Sequence, residues 1–284
     1  MSHPVHARVL GPLTLALDGR NAATPTARKQ RQVLALLLMR YSTVVPVATL
    51  IEELWNDDPP RSAVTLVQTY VLGIRKRMAE YLDTTQAQVT ENILRTTGKG
   101  YLFDTEKIVL DLSHYHVIAN AARSSLGLGH DGRAVDLFAA AEDLWVGPPL
   151  LDVEPGVPLS ADLSHLNQLR LTNLELRIQA QFRLGRDREV CPDLARLTIE
   201  HPLDERLQAY YLFSLCRTGQ RYRALESYRD FARSMRYDLG LDPCMRLQRL
   251  HAVILNGADE SLAEVLENRG SEYLNLGFRS AGDM

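Results

Sequence analysis

The chain has 284 residues, enough for about two domains that each bury a core. Its 45% hydrophobic and 24% charged content is that of a folded protein and excludes a disordered chain. The net charge of −3 is unevenly spread: residues 1–107 hold 13 Lys and Arg against 10 Asp and Glu, so this part approaches a polyanion more readily than the remainder.

The longest apolar run, Val33 to Met39, falls far short of the roughly 18 residues a membrane span needs. The N-terminus has no signal-peptide core, because its apolar residues alternate and are broken by Gly11 and Pro12. The expectation is a cytoplasmic chain with no membrane partner. Cys191, Cys216 and Cys244 are widely separated, odd in number and lack metal-ligand spacing, so they read as core thiols in a reducing compartment.

In chain order, "HARVLGPLTLALDGR" predicts two short strands with a turn at Gly11-Pro12 and a second turn at Asp18-Gly19. "TARKQRQVLALLLMR" predicts a largely buried helix with Thr26 as its cap. "VATLIEELW" is a second helix, with Leu50, Ile51, Leu54 and Trp55 on one face, and it stops at "NDDPP". A third helix runs through "SAVTLVQTYVLGIRKRM", Ser62 to Met78, where Val64, Val67, Val71, Ile74 and Met78 recur at spacings of three and four. "ENILRTTGKGYLFD" then predicts a hairpin, two β-rich runs flanking Gly98-Lys99-Gly100.

The third helix has an unusual second face. It carries Ser62, Thr65, Thr69, Gly73 and Lys76, where a merely solvated helix shows mixed Glu and Lys. From Pro59 to Ala79, Arg61, Arg75, Lys76 and Arg77 appear with no acidic residue. Strands, three helices and a hairpin are the plan of a winged helix-turn-helix, in which one helix enters the DNA major groove and the hairpin reaches the flanking backbone. The groove is about 12 Å wide and admits a helix whose outer side chains let the backbone come close. Gly73 costs about 1 kcal/mol against Ala inside a helix, so it is read as permitting that approach.

From Asp111 the texture is helical only, in amphipathic segments that mostly end at Gly or before Pro. Three helix-turn junctions look alike, at Gly132, Gly185 and Gly219, and the last two are 34 residues apart. That is the period of tetratricopeptide-type helical pairs, whose stack holds another protein or another copy of itself. The Pro-rich "WVGPPLLDVEPGVPLS" supplies a longer first interval. After Asn256 there is one short helical pattern, "ESLAEVLEN", before a Gly- and Ser-containing end.

"GLGHDG" at Gly127 formally matches a dinucleotide-binding pattern, but a helical segment precedes it where a strand is required. His114 and His116 have no third ligand. There is no Walker loop, HExxH or GxSxG, so no enzyme, cofactor or metal site is expected.

"LIEELWNDDPPRSAVTLVQTYVLGIRKRM" and "TTGKGYLF" resemble the OmpR-type winged-helix module of the Streptomyces antibiotic regulatory protein family. "EDLWVGPPLLD", "RLTNLELRIQAQFRLGR", "EHPLDERLQAYYLFSLCRTGQRYRALESYRDFARSM" and "DLGLDPCMRLQRLHAVIL" resemble the bacterial transcriptional activation domain that follows it. The resemblance covers roughly residues 5 to 256. It implies a mainly α chain: a winged helix-turn-helix at 1–107, an all-α tetratricopeptide-like domain at 108–258, and a tail at 259–284. It further implies an activator of a secondary-metabolite gene cluster. Its partners would be double-stranded DNA with tandem direct repeats, a second copy bound head to tail, and RNA polymerase holoenzyme. Carried over by position, Thr65, Gln68, Thr69, Tyr70, Leu72, Gly73 and Lys76 occupy or border the reading face. Arg75, Lys76 and the wing residue Lys99 match phosphate-contacting positions, with Arg61 and Arg95 as weaker matches. Family members often have a small polar residue in place of Leu72 and an arginine in place of Gly73. The resemblance therefore implies a base-reading contact that is missing here or taken over by Thr69 and Lys76, with Leu72 able instead to touch a thymine methyl, so the target sequence differs while DNA binding stands. The alternative reading is a helical-repeat adaptor that binds protein only.

Overall fold

The computed structural model describes residues 5–16, 23–104 and 108–256, so the turn expected at Asp18-Gly19 and the pattern after Asn256 lie outside the described residues. The first part of the chain runs β1 (Val5–Arg8), β2 (Thr14–Ala16), α1 (Arg28–Met39), β3 (Val44–Pro46), α2 (Val47–Trp55), α3 (Ala63–Tyr81), α4 (Gln86–Asn92), β4 (Leu94–Thr97), β5 (Gly100–Phe103) and β6 (Ile108–Leu110). It continues as helices: α5 (Asp111–Gly127), α6 (Asp131–Glu142), α7 (Val157–Arg183), α8 (Asp187–Glu200), α9 (Glu205–Arg217), α10 (Arg221–Leu239) and α11 (Met245–Asn256). The fold is mainly α, and it divides into two compact units, Met1–Leu174 and Glu175–Met284.

In the first unit the apolar run of α1 is buried without interruption from Val33 to Leu38, which makes it the central helix. Its cap differs from the expectation: Ala27 holds the N-cap position, makes no side-chain cap bond, and Thr26 is exposed. Around α1 pack α2, α3 and the β4–β5 hairpin, with Leu50, Leu54, Val67, Val71, Ile74, Met78, Leu94 and Phe103 in one core. That core does not stop at the hairpin. It takes in Leu112, Tyr115, Trp145, Leu150, Val153, Leu159 and Leu166.

Two three-stranded sheets flank the helices, in the orders β2-β1-β6 and β3-β5-β4. β1 pairs antiparallel with β2 and parallel with β6, which directly precedes α5. In the second sheet β5 is central, so the hairpin is anchored on β3 as well as on β4. Gly100 makes that possible, because a Cβ there would overlap the Val45 carbonyl oxygen. β3, β6 and α4 are additions to the elements expected from the sequence. The last begins with a capping box in which the Gln88 amide N–H donates to the Thr85 hydroxyl at 3.2 Å.

Three helix junctions share one geometry. Gly129, Gly185 and Gly219 have φ of +74°, +71° and +76°, a region glycine enters without steric cost. The amide after each bonds back to the carbonyl five residues earlier: His130 to Ser125, Arg186 to Gln181, Gln220 to Leu215. This is the Schellman ending that caps a helix and turns the chain. The first junction therefore lies at Gly129, not Gly132, which sits inside α6. The segment that formally resembled a nucleotide-binding loop is this turn. In the second unit, Leu212, Leu215, Ala224, Phe231, Met235, Leu247, Leu250 and Ile254 form the core among α9, α10 and α11. Cys191 and Cys216 are half-buried while Cys244 is exposed, so the core-thiol reading fails for Cys244.

Candidate nucleic-acid interface

α3 buries Ala63, Val67, Val71, Ile74, Arg75, Met78 and Ala79 against the core of the first unit. The complementary row, Val64, Thr65, Gln68, Thr69, Leu72 and Lys76, is exposed. Val64 therefore belongs to the outer row: it is 50% exposed, contrary to its place in the expected apolar stripe. Tyr70 is half-buried and packs on the core, at the border of the row. Arg61 is exposed just before the helix.

Arg75 is only 9% exposed. Its Nε and Nη2 donate to the Leu94 carbonyl at 2.9 and 2.6 Å, and Nη2 also donates to the Thr96 hydroxyl at 2.7 Å. The guanidinium lies 5.7 Å from the centre of the Tyr101 ring, and burial pulls its pKa down while the Tyr101 hydroxyl opposes that. Arg75 is thus the bolt between α3 and the hairpin, and it is withdrawn from the phosphate-contacting set. Lys76, one residue on, is exposed, 3.9 Å from the Glu80 carboxylate. Arg77 donates to the Thr24 carbonyl at 3.4 Å.

Gly73 faces a neighbour inside the chain. A Cβ there would lie 2.6 Å from the Gln30 amide nitrogen of α1, so the close approach it permits is to a neighbouring helix within the chain. On the hairpin, Lys99 is exposed at the tip between β4 and β5, and its carbonyl accepts the Val47 N–H. Arg95 is half-exposed and pairs with Asp104 at 3.7 Å.

What sequence reasoning missed is how the helix-turn-helix is held from behind. Glu53 of α2 is buried and accepts N–H groups from Gly156 at 2.6 Å and Leu159 at 2.9 Å, which caps the start of α7. A Cβ on Gly156 would overlap the Glu53 carbonyl, so glycine is required at this joint. Burial raises the Glu53 pKa and the two N–H bonds lower it, burial being the larger effect. Arg40 forms a two-pronged pair with Asp162 at 2.7 and 3.1 Å, Gln32 donates to the Glu154 carbonyl at 2.8 Å, and Arg31 pairs with Asp152. Asp111 accepts the N–H groups of Val9, Leu10 and Leu112, and its pKa too is raised by burial. His116 meets the Tyr41 hydroxyl at 2.9 Å and is pushed to a lower pKa by burial. Among the described residues, no three His, Cys, Asp or Glu side chains are grouped to hold a metal ion, and no helix is long and apolar enough to cross a membrane.

A helix with an outer row free of acidic residues from Val64 to Lys76, backed by two helices and flanked by a hairpin, defines a winged-helix transcriptional regulator, here followed by paired helices. Comparison with known proteins gives the family. Residues 21–103 match the model of the transcriptional regulatory protein C-terminal domain, and residues 110–255 match the bacterial transcriptional activator domain. The regulatory protein DnrI of Streptomyces peucetius is 36% identical over 90% of this chain and 95% of its own length. The regulatory protein AfsR of Streptomyces coelicolor is 35% identical over 90% of this chain, which spans 25% of that longer protein. A solved structure of Mycobacterium tuberculosis EmbR, in complex with a low-affinity phosphopeptide, superposes with a TM-score of 0.78 at 26% identity, covering 95% of this chain and 71% of that one. The chain belongs to the Streptomyces antibiotic regulatory protein family, a family of transcriptional regulators.

Proposed function

We propose that this chain is a pathway-specific activator of a secondary-metabolite gene cluster. It lays the outer row of α3 in the major groove of a half-site and sets Lys99 of the hairpin on the flanking phosphates. The observation that carries this reading is the row itself: from Thr65 through Lys76 it is exposed and without an acidic residue, on a helix tied to the hairpin by Arg75. A single winged helix makes few base contacts, so affinity gains when two modules are held on neighbouring repeats. Tandem direct repeats require head-to-tail packing of two copies, which does not close like a two-fold dimer. In this reading residues 1–107 bind DNA, residues 108–258 hold the second copy and contact RNA polymerase, and residues 259–284 are a tail. The site of action is the nucleoid in the cytoplasm.

A gel shift with promoters of the chain's own gene cluster, over a range of salt, tests the proposal. A sequence-selective, salt-dependent shift that needs both repeats is the expected result. Binding to protein partners without any such shift would leave a helical-repeat adaptor in its place. Footprinting with added polymerase then checks recruitment, as an extension of protection toward the promoter.

A further inference from the structure

The reading face of α3 is poor in the groups that recognise guanine. Arg or Lys bidentate to the O6 and N7 atoms of guanine is the commonest specific contact in the major groove. Here Arg75 is committed to Leu94 and Thr96, and the one cation left in the outer row, Lys76, sits at its far end beside Glu80. From the start of the row stand Val64, Gln68 and Leu72, spaced by four and so on one side of the helix. Val64 is 50% and Leu72 53% exposed. Thr69 donates its hydroxyl proton to the Thr65 carbonyl at 2.9 Å, so that proton is spent within the helix.

Resting on the DNA-binding reading above, we propose that this row reads thymine methyl groups through Val64 and Leu72, with Gln68 on an adenine edge between them. Its half-site is therefore A·T at the positions α3 covers. Two aliphatic side chains left in water gain by desolvation against a C5-methyl, and glutamine matches the N6 and N7 pattern of adenine. Lys76 then serves the phosphate backbone.

The test begins with selection of duplexes by the full-length chain from a randomised pool, followed by binding titrations on the selected duplex. Each thymine is then replaced in turn by uracil, which removes only the methyl group. The expected result is two positions where uracil weakens binding about fourfold, as loss of one buried methyl should. Leu72→Ala should abolish the uracil effect at one of these and Val64→Ala at the other, with circular dichroism confirming that both variants melt like the wild type. Selective binding with no uracil-sensitive position, or with guanine and cytosine under α3, overturns methyl reading while leaving DNA binding intact. Leu72→Ala weakening thymine and uracil duplexes equally would also overturn it. If no sequence is enriched at all, the DNA-binding reading itself has failed.

Discussion

Arg75 and Lys76 are neighbours in sequence with opposite surroundings, and the difference is measurable. Removing Arg75 leaves the buried Leu94 carbonyl without a partner and unties α3 from the hairpin. Arg75→Ala should therefore destabilise the fold by about 2–3 kcal/mol, the scale of lost hydrogen bonds to a charged group. Where it remains folded, its salt dependence of DNA binding should match the wild type. Lys76→Ala should leave the melting temperature nearly unchanged and reduce the slope of log affinity against log salt by about one unit. Equal slopes in wild type and Lys76→Ala would take Lys76 off the phosphate list; a reduced slope in Arg75→Ala would put Arg75 back. At Gly73 two small effects compete. A methyl gains up to about 1 kcal/mol of helix propensity but displaces the Gln30 amide, the far end of a flexible side chain. Gly73→Ala is expected to shift stability little by itself and to gain about 1 kcal/mol in a Gln30→Ala background, by urea unfolding. A loss in both backgrounds would mean that something other than Gln30 needs the glycine.

At the scale of elements, legibility followed pattern length. α1, α2, α3 and the hairpin were readable because each carries an uninterrupted apolar period or a glycine turn. β3 and β6 have three residues each, too few for alternation to show, and the seven-residue α4 is too short for an apolar period to stand out. The outward direction of Ser62, Thr65, Thr69 and Lys76 is legible from helical spacing, while Gln68 and Leu72 enter the exposed row only through the family resemblance. The positions of Val64, Gly73 and Arg75 were not legible, because they are set by which neighbours, α1 or the hairpin, come to lie beside α3. The cap of α7 by Glu53 was invisible for the same reason: it joins residues about a hundred positions apart. That joint carries a pH signature. Because burial raises the folded pKa of Glu53 above the ordinary 4.5, folding takes up a proton there, and the stability it contributes is full below 4.5 and fades as pH rises through the raised value. The gap in urea midpoint between wild type and Glu53→Gln should narrow as pH climbs from 4.5. A gap that widens would show that the Gly156 and Leu159 N–H bonds outweigh burial.

At the scale of the molecule, sequence families and packing divide the chain differently. The two family models meet between residues 103 and 110, while the compact units separate after Leu174, inside α7. The reason is that the winged helix does not close its own core. β1 needs β6 as its parallel neighbour, Asp111 satisfies the Val9 and Leu10 amides, and the Trp145, Leu150, Leu159 and Leu166 side chains complete the packing. Glu53, Arg40 and Gln32 bond to residues between 154 and 162. A fragment ending at residue 107 therefore exposes apolar surface and leaves several buried polar groups without partners, each costing about 1–3 kcal/mol against a total stability of about 5–15 kcal/mol. The fragment 1–174 should unfold in urea in one cooperative step by circular dichroism, whereas 1–107 should show a broad transition and bind an apolar dye such as anilinonaphthalene sulfonate. A sharp transition with the same midpoint for both fragments would mean that the winged helix is self-sufficient and that the contacts from Asp111 to Leu166 only decorate it. If 1–107 fails as expected, the helices after it are part of the DNA-binding unit, and changes at the Glu53–α7 joint should alter DNA affinity without touching α3.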